Sequence, residues 1–276
     1  MYNLKNKVAL VTGAGGQNGM GKAIALRLAK EGANVVVNDI KVNTKDTDKW
    51  SGLPDVVKEI KSLGQKSFSL EGDVSDSIQV DNMIEEIVHK FGSIDILVNN
   101  AATSAGPDRV PIVELNEDVW DLVLKVNLKG TFLCCKAVAK VLIKQGRGGK
   151  IINMSSVSGK YGVPKFGAYC ASKFAVRGFT QVLAKELGVH GIQVNAICPG
   201  FVVTERTEDI AKALAPEGTS VNEFIEKEIN QTISNTPLGR VCKTNDIAQM
   251  AAFLASSESD FITGMSLTVD GGKTTE

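Results

Sequence analysis

What most limits the folds open to this chain is the form of its apolar runs. Stretches rich in Val, Ile and Leu at 8–11, 35–37, 94–98, 151–152, 194–197 and 267–269 are continuous rather than alternating. A strand that is apolar at successive positions is buried on both faces, as in a parallel sheet covered by helices above and below. KSFSLEGDV, ending at Val74, supplies a seventh strand.

Helical patterns fill the gaps. GKAIALRLAKEG sets Ile24 and Leu28 on one face and stops at Gly32; SIQVDNMIEEIVHKFG stops at Gly92. Glycine just past the last periodic residue is a helix-ending signal. NEDVWDLVLKVNLKGTFLCCKAVAKVLIKQG reads as one long helix with Asn116 as its N-cap, and AYCASKFAVRGFTQVLAKELGVHG as another. This alternation predicts an α/β, doubly wound Rossmann fold: a seven-stranded, mainly parallel sheet with helices on both faces. No linker or repeat divides the sequence, which predicts one Rossmann-type domain over 1–276. Residues 205–235 break the rhythm; they are polar, carry Pro216 and Gly218, and are expected to form a substrate lid within that domain.

Composition excludes several functions. The 276 residues carry zero net charge, so no basic field exists to attract nucleic acid. No apolar run approaches the roughly 20 residues of a membrane span, and the chain enters a strand without a signal-peptide pattern. A cytoplasmic location is expected. The five cysteines include no C-x-x-C, which favours reduced, buried thiols over zinc or redox chemistry. His89 and His190 lie near predicted helix ends and read as solvated residues rather than metal ligands.

The chemistry begins at VTGAGGQNGMGKAIA, between the first strand and first helix. A glycine-rich turn there lets backbone approach a pyrophosphate, and the helix N-terminus supplies N–H donors. The second strand, NVVVND, ends at Asp39. A carboxylate at that point accepts hydrogen bonds from ribose hydroxyls and repels a 2′-phosphate, which predicts NAD over NADP. Lys22 and Lys41 are nearby cations that soften this preference. In YCASK, Tyr169 and Lys173 are four residues apart and share a helix face. A free phenol has a pKa of about 10 and is a poor base at neutral pH; a cation within about 4–6 Å lowers it. Ser156, in NMSSVSG, lies thirteen residues before Tyr169.

Taken in order, TGAGG…GMG, GDV, LVNNAA, KVNLKG, NMSSVSG, YCASK and CPGFVVT resemble the short-chain dehydrogenase/reductase family over nearly the whole chain. The closing PLGRVCKTNDIAQMAAFLASSESDFITGMSLTVDGG looks like that family's last helix and strand. The resemblance implies an NAD(H)-dependent oxidoreductase that interconverts a secondary alcohol and a ketone by hydride transfer. Tyr169 is then the acid/base, Lys173 its cation and a holder of the nicotinamide ribose, and Ser156 the donor to the substrate oxygen. Ser155 rivals Ser156, but the spacing favours the second serine. Asn127 matches the family's asparagine that holds a relay water. Gly13, Asn18, Gly19 and Met20 are implied to lie along the pyrophosphate, Asp73 and Val74 at the adenine, and Asn100 near the adenosine-side ribose. Asn99 is expected to brace the sheet. Val202 and Thr204 are implied at the carboxamide end. A homotetramer, built through the two long central helices and the C-terminal segment, is also implied.

Three departures stand out. Gly13 and Gly19 are separated by five residues, two more than in the usual TGxxxGxG, so Gln17 and Asn18 are expected to form the tip of an enlarged loop and bond the phosphates. Asn18–Gly19 suits a turn with positive φ. The longer spacing also occurs in enoyl reductases of this superfamily, which place tyrosine and lysine seven apart. Seven after Tyr169 is Val176 and seven after Tyr161 is Ala168, which disfavours enoyl reduction. Ala102 also stands where the family usually has glycine.

Ser158, Tyr161, Val163, Phe166, Phe201 and the 205–235 lid are the substrate-side candidates. SVSGKYGVPKFGA holds no arginine fork for a carboxylate, and Lys160 and Lys165 read as facing water. The expectation is a neutral polyol, sugar, cyclic alcohol or steroid. The alternatives are a 3-oxoacyl thioester reductase and a non-catalytic NAD-bound scaffold or sensor.

Overall fold

The computed structural model describes residues 2–41 and 50–274. Strands β1 (Val8–Thr12), β2 (Asn34–Asp39), β3 (Ser67–Glu71), β4 (Ile96–Asn99), β5 (Gly149–Met154), β6 (Ile192–Pro199) and β7 (Ser266–Val269) form one sheet in the order 3-2-1-4-5-6-7. Every pairing is parallel, so the sheet is more uniform than the expected mainly parallel one.

Helices α1 (Met20–Lys30), α2 (Leu53–Ser62), α3 (Ser77–Phe91), α4 (Glu117–Leu124), α5 (Thr131–Gln145), α6 (Gly167–Leu187), α7 (Glu205–Leu214), α8 (Val221–Ser234) and α9 (Thr244–Ala255) complete the described secondary structure, with short 3₁₀ turns. Alternate strand residues feed two cores. Ala9, Val11, Val35 and Val37 pack under α1, α2 and α9; Val8, Leu10 and Val36 pack under α3, α5 and α6. This two-sided burial explains the continuous apolar runs. The sheet order turns back between β1 and β4, which opens a crevice at the C-terminal strand ends, where ligands bind in open α/β sheets.

The expected 116–146 helix is instead three pieces. Asn116 caps α4 by accepting the Asp118 N–H at 2.8 Å. A π-helical turn, Lys125–Gly130, then joins α4 to α5. Val74 presses on this turn: a Cβ added to Gly130 would lie 2.8 Å from Val74 Cγ2. Helix α2, with Pro54 in its first turn, occupies a stretch where no helix was expected. Residues 205–235 form the helix pair α7 and α8. Among the described residues no helix is long and apolar enough to cross a membrane.

Gly21, on the first turn of α1, decides how closely that helix meets the sheet. A Cβ there would lie 2.3 Å from the Gly13 carbonyl oxygen and 2.6 Å from Asn100 Nδ2. An alanine at a helix interior normally gains about 1 kcal/mol over glycine. Here the overlap with backbone reverses the sign. Gly21→Ala is expected to lower Tm by about 5 °C or more in a thermal melt; an unchanged or raised Tm would contradict this packing.

Candidate active site

Tyr169 sits in the first turn of α6, and Lys173 follows one turn later on the same face. Lys173 is buried; its Nζ donates to the Met154 carbonyl at the end of β5 at 2.8 Å and lies 5.7 Å from the Tyr169 ring centroid. The two serines divide their work. Ser155 Oγ donates to the Lys173 carbonyl at 2.8 Å and so ties β5 to α6. Ser156 Oγ accepts the Ser158 N–H at 3.1 Å and hydrogen-bonds the Tyr169 phenol. The structure therefore brings Ser156, not Ser155, to the tyrosine. A Cβ on Gly159 would lie 2.6 Å from Ser155 Oγ, so glycine lets the Val157–Gly159 turn rest on α6.

Burial pushes the Tyr169 phenol up, but Lys173, Arg206, the Ser156 hydrogen bond and Arg109 together outweigh it and hold the phenol below its ordinary value. Tyr161 goes the other way: burial, Asp270 and Cys170 raise it. Burial also depresses the Lys173 ammonium, against the opposing pull of Tyr169. Proximity of cations, rather than solvent, thus sets the ionisation of Tyr169.

Asn127 lies in the π-helical turn and is 1% exposed. Its Oδ1 accepts the Thr103 N–H at 3.0 Å, and its Nδ2 donates to Ser172 Oγ at 3.1 Å. Ser172 Oγ donates in turn to the Tyr169 carbonyl at 2.7 Å. The asparagine side chain is thereby tied to the first turns of α6. Single-turn π bulges recur at functional sites, and this one aims Asn127 inward.

Two residues escaped the sequence reading. Arg109 is buried against Asp108, with its guanidinium 4.0 Å from the Phe166 ring and 4.9 Å from the Tyr169 ring. Arg206, at the start of α7, donates to the Thr103 carbonyl, and its guanidinium is also 4.9 Å from the Tyr169 ring. Nothing in the residues around either points to the tyrosine; only the fold brings them beside Tyr169.

At the glycine loop, Gly13 takes φ +63°, and a Cβ there would lie 2.6 Å from Ala101 Cα. Gln17 and Asn18 form the exposed tip of a turn closed by Gly19 N–H to the Gly16 carbonyl at 3.3 Å, as the enlarged-loop reading has it. The left-handed residue is not at Asn18–Gly19, however. Gly19 has φ −78° and ψ 154°, because this turn closes without one, and the left-handed residue of the loop is Gly13.

Met20 begins α1, whose N-cap Gly19 offers no side-chain acceptor and leaves backbone N–H groups free. The Asn18 N–H donates to the Glu205 carboxylate at 2.7 Å. The Asp39 carboxylate accepts the Gly15 N–H at 2.8 Å. Lys22 pairs with Glu59 at 2.8 Å and stacks on Trp50, so it is engaged elsewhere.

The remaining expected cofactor positions line the strand ends. Asn100 Nδ2 donates to the Thr12 and Gly13 carbonyls at 3.0 and 2.8 Å, so Asn100 clamps the loop. Asn99 braces the sheet through Asn153 at 2.8 Å, as expected. Asp73 folds back to accept the Ser75 N–H at 2.8 Å, beside the buried Val74. Val202 bridges to Cys242, and the Thr204 N–H donates to Thr207 Oγ1 at 3.0 Å, capping α7. All five cysteines are free; burial pushes Cys134 and Cys242 up to about 12.

With this geometry in place the relatives can be compared. A family profile described as enoyl-(acyl carrier protein) reductase matches residues 13–274. The chain belongs to the short-chain dehydrogenase/reductase family. A short-chain dehydrogenase/reductase of Armillaria gallica is 40% identical over 269 residues, 97% of this chain and 96% of that protein. A 3-oxoacyl-(acyl-carrier-protein) reductase FabG of Thermotoga maritima is 40% identical over 269 residues, 98% of each chain. The crystal structure of an NAD+-bound xylitol dehydrogenase superposes with a TM-score of 0.84 at 32% identity, covering 98% of this chain and 99% of the other. The protein is accordingly an oxidoreductase of a family that binds a nicotinamide cofactor.

Glu205 places a carboxylate on a loop N–H that lies at the start of α1. A phosphate at the same donor meets that charge. Glu205→Gln is expected to tighten NADH binding about threefold, the scale of one exposed charge interaction. Fluorescence titration of NADH checks this; weaker or unchanged binding would contradict it.

Proposed function

We propose that this protein is an NAD(H)-dependent oxidoreductase interconverting a secondary alcohol and a ketone, with Tyr169 as acid and base. The observation that carries this reading is the half-buried phenol of Tyr169, which Lys173, Arg206 and Arg109 surround and hold below its ordinary value. A scaffold has no need of a tuned phenol.

In the oxidation direction Ser156 donates to the substrate hydroxyl oxygen and Tyr169, as phenolate, takes its proton. Lys173 stabilises the phenolate charge, and Asn127 fixes the start of α6 and supports the proton relay. The bound nicotinamide supplies the chemistry of accepting hydride from the carbinol carbon. Gly13, Asn18, Gly19 and Met20 hold the pyrophosphate at the head of α1. That the Asn18 N–H already binds a carboxylate supports the loop as an anion site. Asp73 and Val74 flank the adenine, Asn100 the adenosine-side ribose, Lys173 the nicotinamide ribose, and Val202 and Thr204 the carboxamide.

Asp39 favours NAD, because its carboxylate is fixed at the end of β2 beside the loop and repels a 2′-phosphate. The NAD+-bound xylitol dehydrogenase relative supports this choice. Helices α7 and α8 serve as the lid of a single-domain enzyme. Leu122, Phe132, Phe174 and Val182 on α4, α5 and α6 are exposed apolar residues that support assembly as a homotetramer. The FabG relative favours one other reading, reduction of a 3-oxoacyl thioester by the same residues.

The test is NADH or NADPH formation from secondary alcohols, for the wild type and Tyr169→Phe. NAD is expected to be preferred, and the variant to lose at least about 100-fold in kcat/KM while still binding NADH. Turnover retained in Tyr169→Phe would contradict the role of the phenol, and preference for NADP the role of Asp39.

A further inference from the structure

Buried guanidinium groups ordinarily have their N–H donors satisfied. Arg109, which is buried, and Arg206, which is half-buried with a buried Nη2, do not. Arg109, whose side chain is wholly buried, has no partner at Nε or Nη2 among the described residues, and Arg206 has none at Nη2. Only Nη1 of Arg109 is engaged, on Asp108. Nε and Nη2 form the side-on edge of the guanidinium, two parallel donors that match the two oxygens of a carboxylate. Asp108 is itself held in place by the Gly106 N–H at 3.2 Å, which fixes Arg109 with that edge free.

Charge points the same way. Asp108 offsets one of the two guanidinia. Among the described residues Arg206 forms no ion pair with a carboxylate; its one partner is the neutral Thr103 carbonyl. Together with Lys173 the two arginines leave the surroundings of Tyr169 cationic. Both guanidinia lie 4.9 Å from the Tyr169 ring, on the side chain to which the substrate oxygen must come.

We infer that Arg109 and Arg206 form a carboxylate subsite beside Tyr169, and that the substrate is a short 2- or 3-hydroxy acid and its oxoacid. This rests on the dehydrogenase reading above and narrows it, replacing the neutral alcohol expected from residues 156–168. The carboxylate takes the free edge of Arg109 and displaces the Thr103 carbonyl from Arg206. Because the guanidinia stand beside the Tyr169 ring, the carboxylate carbon lies one or two bonds from the carbinol carbon. Oxidation then delivers the hydroxyl proton to Tyr169 and the hydride to NAD, giving the oxoacid and NADH. Arg206 rides on α7, so binding of the acid also draws the 205–235 excursion over the site.

The test compares each acid with its own methyl ester. With NAD present, kcat/KM for 2-hydroxybutanoate or 3-hydroxybutanoate is expected to exceed that of the matching methyl ester by about 100-fold, the scale of a charge-assisted bidentate contact. In Arg206→Gln this acid-to-ester ratio falls at least about tenfold; in Arg206→Lys, which keeps charge but loses the fork, it falls less. The ratio isolates recognition, since any effect of Arg206 on Tyr169 acts on acid and ester alike.

Binding without turnover provides a second readout. 2-Hydroxy-2-methylpropanoate has no carbinol hydrogen to transfer. It is expected to raise the Tm of the NAD-bound protein where its primary amide does not, and Arg206→Gln or Arg109→Gln abolishes the difference. An acid-to-ester ratio near one, or a ratio unchanged in Arg206→Gln, would overturn the carboxylate subsite and leave the dehydrogenase reading standing. No NAD-dependent oxidation of acid, ester or neutral alcohol would overturn both.

Discussion

The Lys173 ammonium is held between the Met154 carbonyl and the Tyr169 ring, and much of the crevice is arranged around that position. An ammonium this deeply buried is costly unless its donors are used. Strand β5 delivers the carbonyl, α6 delivers the lysine and the tyrosine, and Ser155 pins the two elements together through the Lys173 backbone. Gly159 then gives the turn after β5 room to lie on α6 and leaves Ser156 beside the phenol. A single sheet-to-helix contact therefore fixes three of the four proposed reacting groups. The fourth, Asn127, joins through Ser172, which sits beside Lys173 in sequence.

Helix α7 connects the two halves of the cleft. Its first two residues reach in different directions: Glu205 to the Asn18 N–H of the glycine loop, Arg206 to Thr103 and the face of Tyr169. An anion at either place meets α7. In the proposed reading, cofactor phosphate would compete with the Glu205 carboxylate and an anionic substrate would attract Arg206.

Much of this was legible in the residues. Six strands followed from continuous apolar runs, since burial on both faces removes alternation; the seventh, β3, was read from KSFSLEGDV without such a run and is only partly buried. Asn116, Gly92 and the Tyr169–Lys173 spacing were legible because caps and helix faces are local. The π-helical turn was not: widening one turn at Lys125–Gly130 barely disturbs the apolar period, and Val74, which packs against Gly130, lies about 55 residues away in sequence. Asn18–Gly19 carried a turn signal and the turn forms there, but the left-handed φ it suited is taken by Gly13, where Ala101 leaves no room for a side chain. Arg109 and Arg206 were missed because each stands next to an unremarkable acid, Arg109 in irregular chain and Arg206 in the first turn of α7. Their meaning depends on which ring they face, and that is set by tertiary structure.

The central claim is that Tyr169 carries a phenol lowered by its neighbours. Ultraviolet difference titration of the wild type against Tyr169→Phe reads that ionisation directly. The account predicts one phenol in the wild type ionising below the ordinary value of about 10 and missing from the variant. Curves that coincide at every pH below that value would contradict it.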